Sequence, residues 1–530
     1  MKKILLLGDE AIAQGAIDAG LSGVYAYPGT PSTEIMEFIQ GSKEAKELGI
    51  RALWSANEKT AMESAIGMSY AGKRSLVCMK HVGVNVAADP FINSAVTGVN
   101  GGMVVLAADD PSMHSSQNEQ DSRFYGKFAM IPILEPSTQQ EAYDMMKYAY
   151  ALSEEKKLPV LLRVVTRLAH SRAGVVVNDL MPQNALNPDK ERTWVLLPAI
   201  ARRQYASLVA KQPDLVESSE HSPYNGMNAF EGKAKLGVIA CGIAYNYVME
   251  NDPQSLGIPV LKVSQYPLPE ASIKALAAQC DSLLVAEDGQ PLVEEQVKAI
   301  LGADYALKGR LTGDLPRMGE LTPDCVGAAL GVNIEQPYTE AQNVMPRPPA
   351  LCQGCGHRDM YAALNEVAAE HEGSKIFGDI GCYTLGALSP FHAIHACVEM
   401  GASITMAKGA ADAGQFPSFA VIGDSTFTHS GMTGLLDCVN SKANVVVLIS
   451  DNLTTGMTGG QDSAGTGRLE AICLGLGVEP EHVRVVVPLP KNMEEIKQVL
   501  REEVAYNGTS VVIARRECIQ TLKRHLKAKK

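Results

Sequence analysis

The chain has 530 residues, too many for one hydrophobic core, so two to four domains are expected. It is 46% hydrophobic and 20% charged without an apolar run of transmembrane length, which favours a globular protein and argues against a membrane span. The formal net charge of −12 argues against nucleic acid or an anionic membrane as the main partner.

The N-terminal apolar stretch, Ile4–Leu7, is too short for a signal peptide and is expected to be a buried first strand. The 11 cysteines are odd in number and unevenly spaced, which indicates a reducing, cytoplasmic compartment. Cysteines within apolar runs are expected to be buried, inert thiols; these are Cys78, Cys241, Cys280 and Cys438.

Apolar runs alternate with helical patterns along the whole chain. In chain order the runs are KILLLG, GVYAYPG, SLVCMK, GMVVLAA, PVLLRVV, KLGVIACG, SLLVAED, SFAVIGD, NVVVLISD and TSVVIARR. Continuous runs of Val, Ile and Leu followed by helices are typical of parallel strands that are buried on both faces. The sequence therefore predicts an α/β protein with parallel sheets.

Three domains are predicted, at residues 1–190, 191–345 and 346–530. A polar stretch, Val164–Glu191, ends the first series of strands and helices, and a second series begins near Lys235. The segment Asn333–His357 carries four prolines without a periodic pattern, as an interdomain linker does.

Two stretches of the first domain carry polar residues next to a strand end. In AYPGTPSTEIMEF, Thr30 can cap a helix, Pro31 suits its first position and Glu34 its first turn. Free amides and hydroxyls there would bind a carboxylate, and a well-capped helix is the structural alternative.

In the second stretch, NEKTAMESAIGMSYAG, Glu58 is expected to begin a helix. It could complement the helix dipole or serve as a catalytic carboxyl group, and Glu63 is the rival for the catalytic role.

Two strand ends of the third domain carry an acid and an amide. Asp424 follows the strand FAVIG and its last residue, Gly423. Asp451 and Asn452 follow the strand VVVLIS, one helix later. Because the carboxyl ends of parallel strands share one edge, the acid and the amide could bind Mg²⁺, and the loop at Ser425 could approach phosphates. The structural alternative is that they are turn or cap residues.

Four cysteines stand in conspicuous settings. Cys352 and Cys355 form a C-x-x-C pair in CQGCGH, Cys382 follows a strand in GDIGC, and Cys518 follows the last strand. The pair could bind zinc, act as a redox dithiol or bind an iron–sulfur cluster. It is expected to follow a linker rather than to begin a helix. If the four thiolates share one sheet edge, they could hold a four-iron cluster; buried thiols are the alternative. Cys473, expected in a buried helix, is the weaker candidate for the fourth position.

The spacing of Asp424 and Asn452 resembles the diphosphate-binding motif of thiamine enzymes, whose commonest form is GDG…NN, with departures at Ser425 and Asp451. CQGCGH, GDIGC and the cysteine after the last strand resemble the cluster-binding pattern of the thiamine subunit in 2-oxoacid:ferredoxin oxidoreductases. Over residues 1–520 the chain resembles the indolepyruvate ferredoxin oxidoreductase alpha-subunit family. This resemblance implies a thiamine-diphosphate-binding fold with a pyrimidine-type first domain, a transketolase-C-like middle domain and a diphosphate-type third domain.

The resemblance also implies the cofactors and the residues that bind them. The cofactors are thiamine diphosphate, Mg²⁺ and one [4Fe–4S] cluster. Asp424, Asn452 and the backbone carbonyl of Thr454 would bind Mg²⁺. Glu58 would hydrogen-bond the aminopyrimidine ring, and Thr30 would bind the substrate carboxylate. The other implied contacts are His357, Gly381, Cys382, Gly423 and Ser425 with thiamine diphosphate, and Cys352, Cys355, Cys382 and Cys518 with the cluster.

The activity that the resemblance implies is oxidative decarboxylation of an aryl 2-oxoacid such as indolepyruvate to its acyl-CoA. The implied partners are a smaller beta subunit, ferredoxin or another electron carrier, the 2-oxoacid and coenzyme A, in a homo- or hetero-oligomer. The family's alpha subunit usually ends in a ferredoxin-like domain, but only residues 519–530 follow Cys518 and none is cysteine. Either the subunit natively lacks that domain or the sequence is truncated before it, and in both cases another chain is expected to carry electrons away from the cluster. The alternatives are a non-oxidative thiamine-dependent decarboxylase and a catalytically silent paralogous subunit.

Further residues are weaker candidates. His81 in KHVG, like His357, could contact cofactor or substrate, and a structural histidine is the alternative for each. Arg123 ends the polar stretch MHSSQNEQDSR. It is expected to be exposed unless it contacts a carboxylate or coenzyme A phosphates.

Overall fold

The computed structural model describes residues 2–187, 194–334, 343–345 and 347–528. The chain divides into two compact units, Met1–Thr339 and Glu340–Lys530. The predicted boundary at 190/191 lies outside the described residues, and the one at 345/346 falls near the division between the units. Three domains therefore stay a prediction. None of the described helices combines the length and apolar character that a membrane crossing requires.

The first unit alternates strands and helices, as predicted. Its strands are β1 (Lys2–Leu7), β2 (Gly23–Ala26), β3 (Arg51–Trp54), β4 (Ser75–Lys80), β5 (Met103–Asp109), β6 (Ile133–Leu134), β7 (Val160–Val165), β8 (Arg172–Val177), β9 (Gly226–Met227), β10 (Gly237–Cys241), β11 (Val260–Val263), β12 (Gln265–Tyr266), β13 (Ser282–Ala286) and β14 (Ala306–Lys308). Its helices are α1 (Gly8–Asp18), α2 (Thr33–Gly41), α3 (Lys43–Glu47), α4 (Glu58–Tyr70), α5 (His81–Val86), α6 (Ala88–Thr97), α7 (Arg123–Ala129), α8 (Gln139–Lys156), α9 (Thr166–His170), α10 (Pro198–Ala210), α11 (Gln212–Glu220), α12 (Ala244–Met249), α13 (Glu270–Gln279), α14 (Leu292–Leu301) and α15 (Pro323–Ala329).

Two larger sheets form the first unit. A seven-stranded sheet has the order β12-β6-β7-β5-β4-β2-β3, and a five-stranded sheet has the order β14-β13-β10-β11-β9. Strand β12 follows β11 closely in sequence but pairs antiparallel with β6, so the second series of strands completes the first sheet. The sheets also share hydrophobic clusters, one of which contains both Leu106 and Leu284. This shared core explains why both series lie within one compact unit.

The expectation of a buried first strand is wrong. Strand β1 pairs antiparallel with β8 in a two-stranded sheet, and Leu5 is 67% exposed. A two-stranded sheet covers only one of its faces, so alternate residues face solvent. The buried face includes Leu6, which packs in a cluster with Ala11 and Val175.

The second unit is built on one sheet. Its elements are α16 (Gly356–Ala369), β15 (Lys375–Gly378), β16 (Ala396–Cys397), α17 (Ala402–Asp412), β17 (Ser418–Gly423), α18 (Asp424–Thr426), a π-helical turn (Phe427–Gly431), α19 (Met432–Ser441), β18 (Val445–Asp451), α20 (Leu469–Gly475), β19 (Val483–Val486), α21 (Met493–Ala505), β20 (Thr509–Arg515) and α22 (Ile519–Ala528). The order is β16-β15-β17-β18-β20-β19, and all of its pairs are parallel.

Both faces of this sheet are buried, as its continuous apolar runs predict. Along β17, Phe419 and Val421 contribute to one apolar cluster, which includes residues of α16 and α21. The alternate residues, Ala420 and Ile422, contribute to a second cluster, which includes residues of α17, α19 and α20. The period-two pattern of the strand thus places a helical layer on each face, which confirms the predicted α/β class.

Candidate functional site

The acid and the amide singled out in the sequence lie at adjacent strand ends of the second unit. Strands β17 and β18 are parallel neighbours, and their register pairs Gly423 with Ser450, so Asp424 and Asp451 follow at the same level. The chain places β16 on one side of β15 and β17 on the other, which makes the β15/β17 junction a reversal of strand order. Ligand crevices of parallel sheets form outside the carboxyl ends at such a reversal.

Asp424 is buried with an uncompensated charge. Its side chain is 2% exposed, and its Oδ2 atom has no hydrogen-bond partner among the described atoms. Burial raises the pKa of Asp424 to about 7; a hydrogen bond from Ser463 opposes this effect, and the nearby Asp451 adds to it. A buried carboxylate with one oxygen unpartnered is unfavourable unless a cation compensates it, so this position fits a divalent metal ion.

Asn452 lies in a tight loop after β18. Its side-chain Oδ1 accepts a hydrogen bond from the Thr454 amide at 3.2 Å, and Leu453 between them has a positive φ of 62°. The Thr454 hydroxyl donates to the Gln461 carbonyl at 2.9 Å, which closes the loop. Asn452 is thereby held in position by the backbone that follows it.

Asp451, which departs from the commoner motif, is engaged in an ion pair. Arg515 Nε lies 2.5 Å from Asp451 Oδ2, and the two terminal nitrogens of Arg515 lie 2.8 and 2.7 Å from the carboxylate oxygens of Glu470. The other departure, Ser425, accepts a hydrogen bond from the Thr455 hydroxyl at 3.0 Å. Both substituted residues therefore have partners within the second unit.

The segments that follow β18 and β20 are bonded to each other. The Arg516 amide donates to the Asp451 carbonyl at 2.9 Å, and the Cys518 amide donates to the Asn452 carbonyl at 3.1 Å. The ladder between the two strands thus continues beyond their ends. Cys518 is thereby fixed beside Asn452.

The four conspicuous cysteines line one cavity, here called the thiol cavity, with a volume of about 110 Å³. They are Cys352, Cys355, Cys382 and Cys518, and all four are free thiols. The pKa of Cys382 is raised to about 12, chiefly by burial and also by the other three cysteines and Asp424. The rival Cys473 is fully buried in an apolar cluster with Leu469, as expected of an inert thiol.

The expectation that the C-x-x-C pair stands apart from a helix is wrong. Cys355 is the N-cap residue of α16, and its amide donates to the Cys352 carbonyl at 3.1 Å. The partial positive charge of a helix N-terminus favours thiolates placed there. His357, in the first turn, also lines the thiol cavity, and burial lowers the pKa of His357 to about 4, which keeps the imidazole neutral.

Gly381 and Gly423 accommodate an aromatic ring that sequence reasoning missed. A Cβ atom at Gly381 would lie 2.3 Å from the Tyr383 ring, and one at Gly423 would lie 2.6 Å from it. Tyr383 is 3% exposed and donates a hydrogen bond to Asp379. Both glycines are therefore required for packing at the β15/β17 edge, independently of any ligand.

The polar turn after β2 lies at a second reversal of strand order, because β3 and β4 flank β2 on opposite sides. Thr30 lies in this turn, and its carbonyl accepts a hydrogen bond from the Ser115 hydroxyl at 3.4 Å. The expectation that Thr30 caps the helix and Pro31 begins it is wrong. A tight turn, closed by the Ser32 amide on the Gly29 carbonyl at 2.8 Å, delays the start of α2 to Thr33.

Glu58 begins α4, as predicted, after a short loop that follows strand β3. The side chain of Asn57 caps this helix by accepting a hydrogen bond from the Thr60 amide at 2.9 Å. Glu58 is 6% exposed, and a Cβ atom at Gly83 would lie 2.7 Å from its Oε1. The absent side chain of Gly83 thus leaves the space that this carboxyl group occupies. The rival Glu63 is exposed and forms an ion pair with a lysine of the same helix.

Two titratable residues at the end of β4, Lys80 and His81, extend this site. Burial lowers the pKa of Lys80 to about 8, and its ammonium group donates to the Ser115 carbonyl at 2.8 Å. His81 is 1% exposed, and burial lowers its pKa. Sequence reasoning missed Lys80, although a lysine that ends a buried strand after the apolar run LVCM is a usable signal.

The expectation of an exposed Arg123 is wrong. Its guanidinium is 0% exposed and lies 2.5 Å from Asp121 Oδ2 and 2.9 Å from Glu287 Oε2. Because Asp121 lies in the first series of strands and Glu287 follows β13 in the second, Arg123 connects the two parts of the first unit.

Comparison with known families identifies two regions. Residues 14–212 match the family described as pyruvate flavodoxin/ferredoxin oxidoreductase, thiamine diP-binding. Residues 379–514, which include Asp424 and Asn452, match the C-terminal TPP-binding domain of thiamine pyrophosphate enzymes. Both units thus carry regions typical of thiamine-diphosphate-binding proteins.

Curated proteins are similar over nearly the whole chain. The indolepyruvate oxidoreductase subunit IorA of Archaeoglobus fulgidus is 41% identical, over 98% of this chain and 86% of that protein. The subunit of the same name from Pyrococcus abyssi is 36% identical, over 98% of this chain and 86% of that protein.

Among solved structures, 2-oxoglutarate:ferredoxin oxidoreductase from Magnetococcus marinus, with 2-oxoglutarate, coenzyme A and succinyl-CoA bound, is similar at a TM-score of 0.52 and 15% identity, over 62% of this chain and 65% of that chain. This similarity concerns the fold. The identity to the curated proteins, which extends through both units, shows that the chain belongs to the family of the indolepyruvate oxidoreductase subunit IorA.

Proposed function

We propose that this chain is the thiamine-diphosphate-carrying subunit of an enzyme that oxidises an aryl 2-oxoacid of the indolepyruvate type to its acyl-CoA and passes the electrons to ferredoxin. The observation that carries the proposal is the buried carboxylate of Asp424, whose Oδ2 lacks a partner among the described atoms, in the same unit as a cavity lined by four thiols. The names of the similar subunits support the substrate. The proposed partners are a smaller beta subunit and a ferredoxin, and the proposed compartment is the cytoplasm.

Asp424, Asn452 and the carbonyl of Thr454 are the proposed Mg²⁺ ligands. A carboxylate and two carbonyl oxygens are hard donors, and Mg²⁺ takes such ligands together with phosphate oxygens. The backbone around Gly381, Gly423 and Ser425 is proposed to face the diphosphate.

Bound thiamine diphosphate supplies a carbon nucleophile and accepts the electron pair released with carbon dioxide. Glu58 is proposed to hold a proton at its carboxyl group and to hydrogen-bond the aminopyrimidine ring. Its burial excludes water from that proton. Thr30 is proposed to orient the substrate carboxylate. His357, neutral at physiological pH, is proposed to contact the cofactor without adding charge.

Cys352, Cys355, Cys382 and Cys518 are proposed to hold one [4Fe–4S] cluster. Four thiolates are the usual ligands of such a cluster, and the dipole of α16 favours negative charge at its N-cap residue Cys355. A cluster gives the electrons a route out of the site, which a non-oxidative decarboxylase does not need.

The direct test is an anaerobic assay of the complete enzyme, this chain with its partner subunit. Indolepyruvate should reduce ferredoxin, and formation of the acyl-CoA should require coenzyme A. Release of carbon dioxide with no reduction of ferredoxin would instead support the non-oxidative alternative.

Cys518→Ser should lose most of the iron, because the cluster would lack one of its four ligands. Anaerobically purified wild-type protein should be brown and contain about four irons per chain. Cys473→Ser is the matched control and should keep its iron, since Cys473 lies in the apolar core. Iron measurement and the visible spectrum decide the result; full iron in Cys518→Ser would remove Cys518 from the ligand set.

Gly83→Ala should lower turnover by about 10²-fold, because the new methyl group would displace the Glu58 carboxyl that lies 2.7 Å from its position. The control is Gly67→Ala on α4, where a Cβ meets nothing within 4 Å. Steady-state kinetics and a circular dichroism melt should show a loss of kcat in Gly83→Ala without loss of fold. Unchanged kcat would contradict a catalytic position for Glu58.

A further inference from the structure

A second cluster of metal-ligating side chains lies in the first unit. Asp9 at the start of α1, Glu34 in the first turn of α2 and His170 at the end of α9 place one ligand atom each within 4.8 Å of one another. His170 Nε2 lies 3.6 Å from Glu34 Oε1. Three separate helices thus direct two carboxylates and an imidazole to one point.

Asp9 supplies independent support for a ligand at this point. It is 0% exposed, and neither of its carboxylate oxygens has a hydrogen-bond partner among the described atoms. Oε2 of Glu34 is also buried without a partner there. The side chain of Glu34 is 37% exposed and its Oε1 faces His170, so the orphaned group at this point is chiefly Asp9. Buried carboxylate oxygens are almost always satisfied, so the two bare oxygens of Asp9 indicate a missing ligand.

We propose that Asp9, Glu34 and His170 bind one divalent cation of the first transition row, of the Mn²⁺ or Zn²⁺ class. Carboxylate ligands suit Mn²⁺ and imidazole suits Zn²⁺, whereas the absence of sulfur from this set of three disfavours soft cations such as Cu⁺. His170 has a side chain that is 34% exposed and gives the ion access from solvent.

The ion would hold the segment behind the proposed substrate turn. Glu34 lies two residues after Ser32, whose amide closes that turn on Gly29. With α1 and α9 as the other anchors, the ion would fix the first turn of α2. This site is separate from the proposed Mg²⁺ ligands, which all belong to the second unit.

Mn²⁺ binding to the complete enzyme, measured by electron paramagnetic resonance of the free ion, tests the proposal. Mn²⁺ is the probe because thiolates of the thiol cavity compete for Zn²⁺ but bind Mn²⁺ poorly. Wild-type enzyme should bind Mn²⁺ at a site whose affinity falls by at least about tenfold in Asp9→Asn and in His170→Ala. The control is His221→Ala, which alters another exposed histidine paired with a glutamate on its own helix and should bind as wild type.

Asp424→Asn identifies ions held at the proposed Mg²⁺ site. Mn²⁺ binding that is lost in Asp424→Asn but kept in Asp9→Asn and His170→Ala would overturn the proposal, as would the absence of binding to the wild type. If Asp9→Asn does not fold, Mn²⁺ binding to His170→Ala decides the test, because His170 is only partly buried and its replacement should leave the fold intact. Anomalous diffraction at the manganese edge should place the ion between the three side chains, and density elsewhere only would refute it.

Discussion

Glu58→Gln is expected to lower the rate of 2-oxoacid oxidation by about 10³-fold while thiamine diphosphate stays bound. The amide keeps the size of the buried side chain but cannot hold or release the proton that the carboxyl group carries. Because Glu58 lies against Gly83 in a space that fits it, the substitution should leave the fold intact. Single-turnover kinetics would locate the loss in the chemical step, and calorimetry would show unchanged cofactor affinity.

The control for this variant is Glu63→Gln on the same helix. Glu63 is exposed and pairs only with its helical neighbour Lys59 among the contacts described, so activity should stay at the wild-type level. If Glu58→Gln retained full activity, Glu58 would not be the proton-bearing group. If Glu63→Gln instead lost activity, the assignment would pass to the rival residue.

Asp424→Ala is expected to weaken Mg²⁺-dependent binding of thiamine diphosphate by about 10²-fold or more, because it removes the only charged ligand of the proposed set. A titration of thiamine diphosphate in the presence of Mg²⁺, followed by protein fluorescence or calorimetry, measures this loss. The control is Asp437→Ala, which removes an exposed acid from α19 and should bind as wild type.

Asp424→Ala should weaken cofactor binding but should not lower the thermal stability of the metal-free protein. The pKa of Asp424 is raised by burial to about 7, above that of an exposed carboxyl group, so its ionisation destabilises the folded, metal-free protein as pH rises towards 7. Asp424→Ala should therefore have an unchanged or higher Tm at pH 7 in the absence of metal. A lower Tm would mean that Asp424 is a structural residue rather than a ligand site held at the expense of stability.

The sequence predicted those parts of the fold that depend on local pattern. The apolar runs of β17 and β18 specify buried parallel strands, and parallel strands bring their ends to one edge, so the proximity of Asp424 and Asn452 followed. The proximity of Cys382 and Cys518 followed from the same rule, because both come after strands of this sheet, whereas Cys352 and Cys355 precede α16.

The predictions from sequence were wrong where contacts between segments distant in the chain decide whether a residue is buried. The run KILLLG is apolar enough for a central strand, yet β1 has only β8 as a partner and stays largely exposed. Arg123 has the sequence setting of a loop residue, but carboxylates distant in the chain bury it. The space for Glu58 at Gly83 and the ring of Tyr383 between two glycines are likewise contacts across the sheet, which a single sequence does not display.

The hydrogen bonds from Arg516 to Asp451 and from Cys518 to Asn452 have a thermodynamic consequence. The backbone of a proposed cluster ligand cannot shift without moving the backbone of a proposed metal ligand. Coupling between two sites is reciprocal, so loading of iron should tighten the Mg²⁺-dependent binding of thiamine diphosphate by the same factor as thiamine diphosphate tightens the binding of iron. Assembly of the enzyme would then be cooperative, with half-loaded chains scarce, and iron-depleted preparations should also be cofactor-depleted.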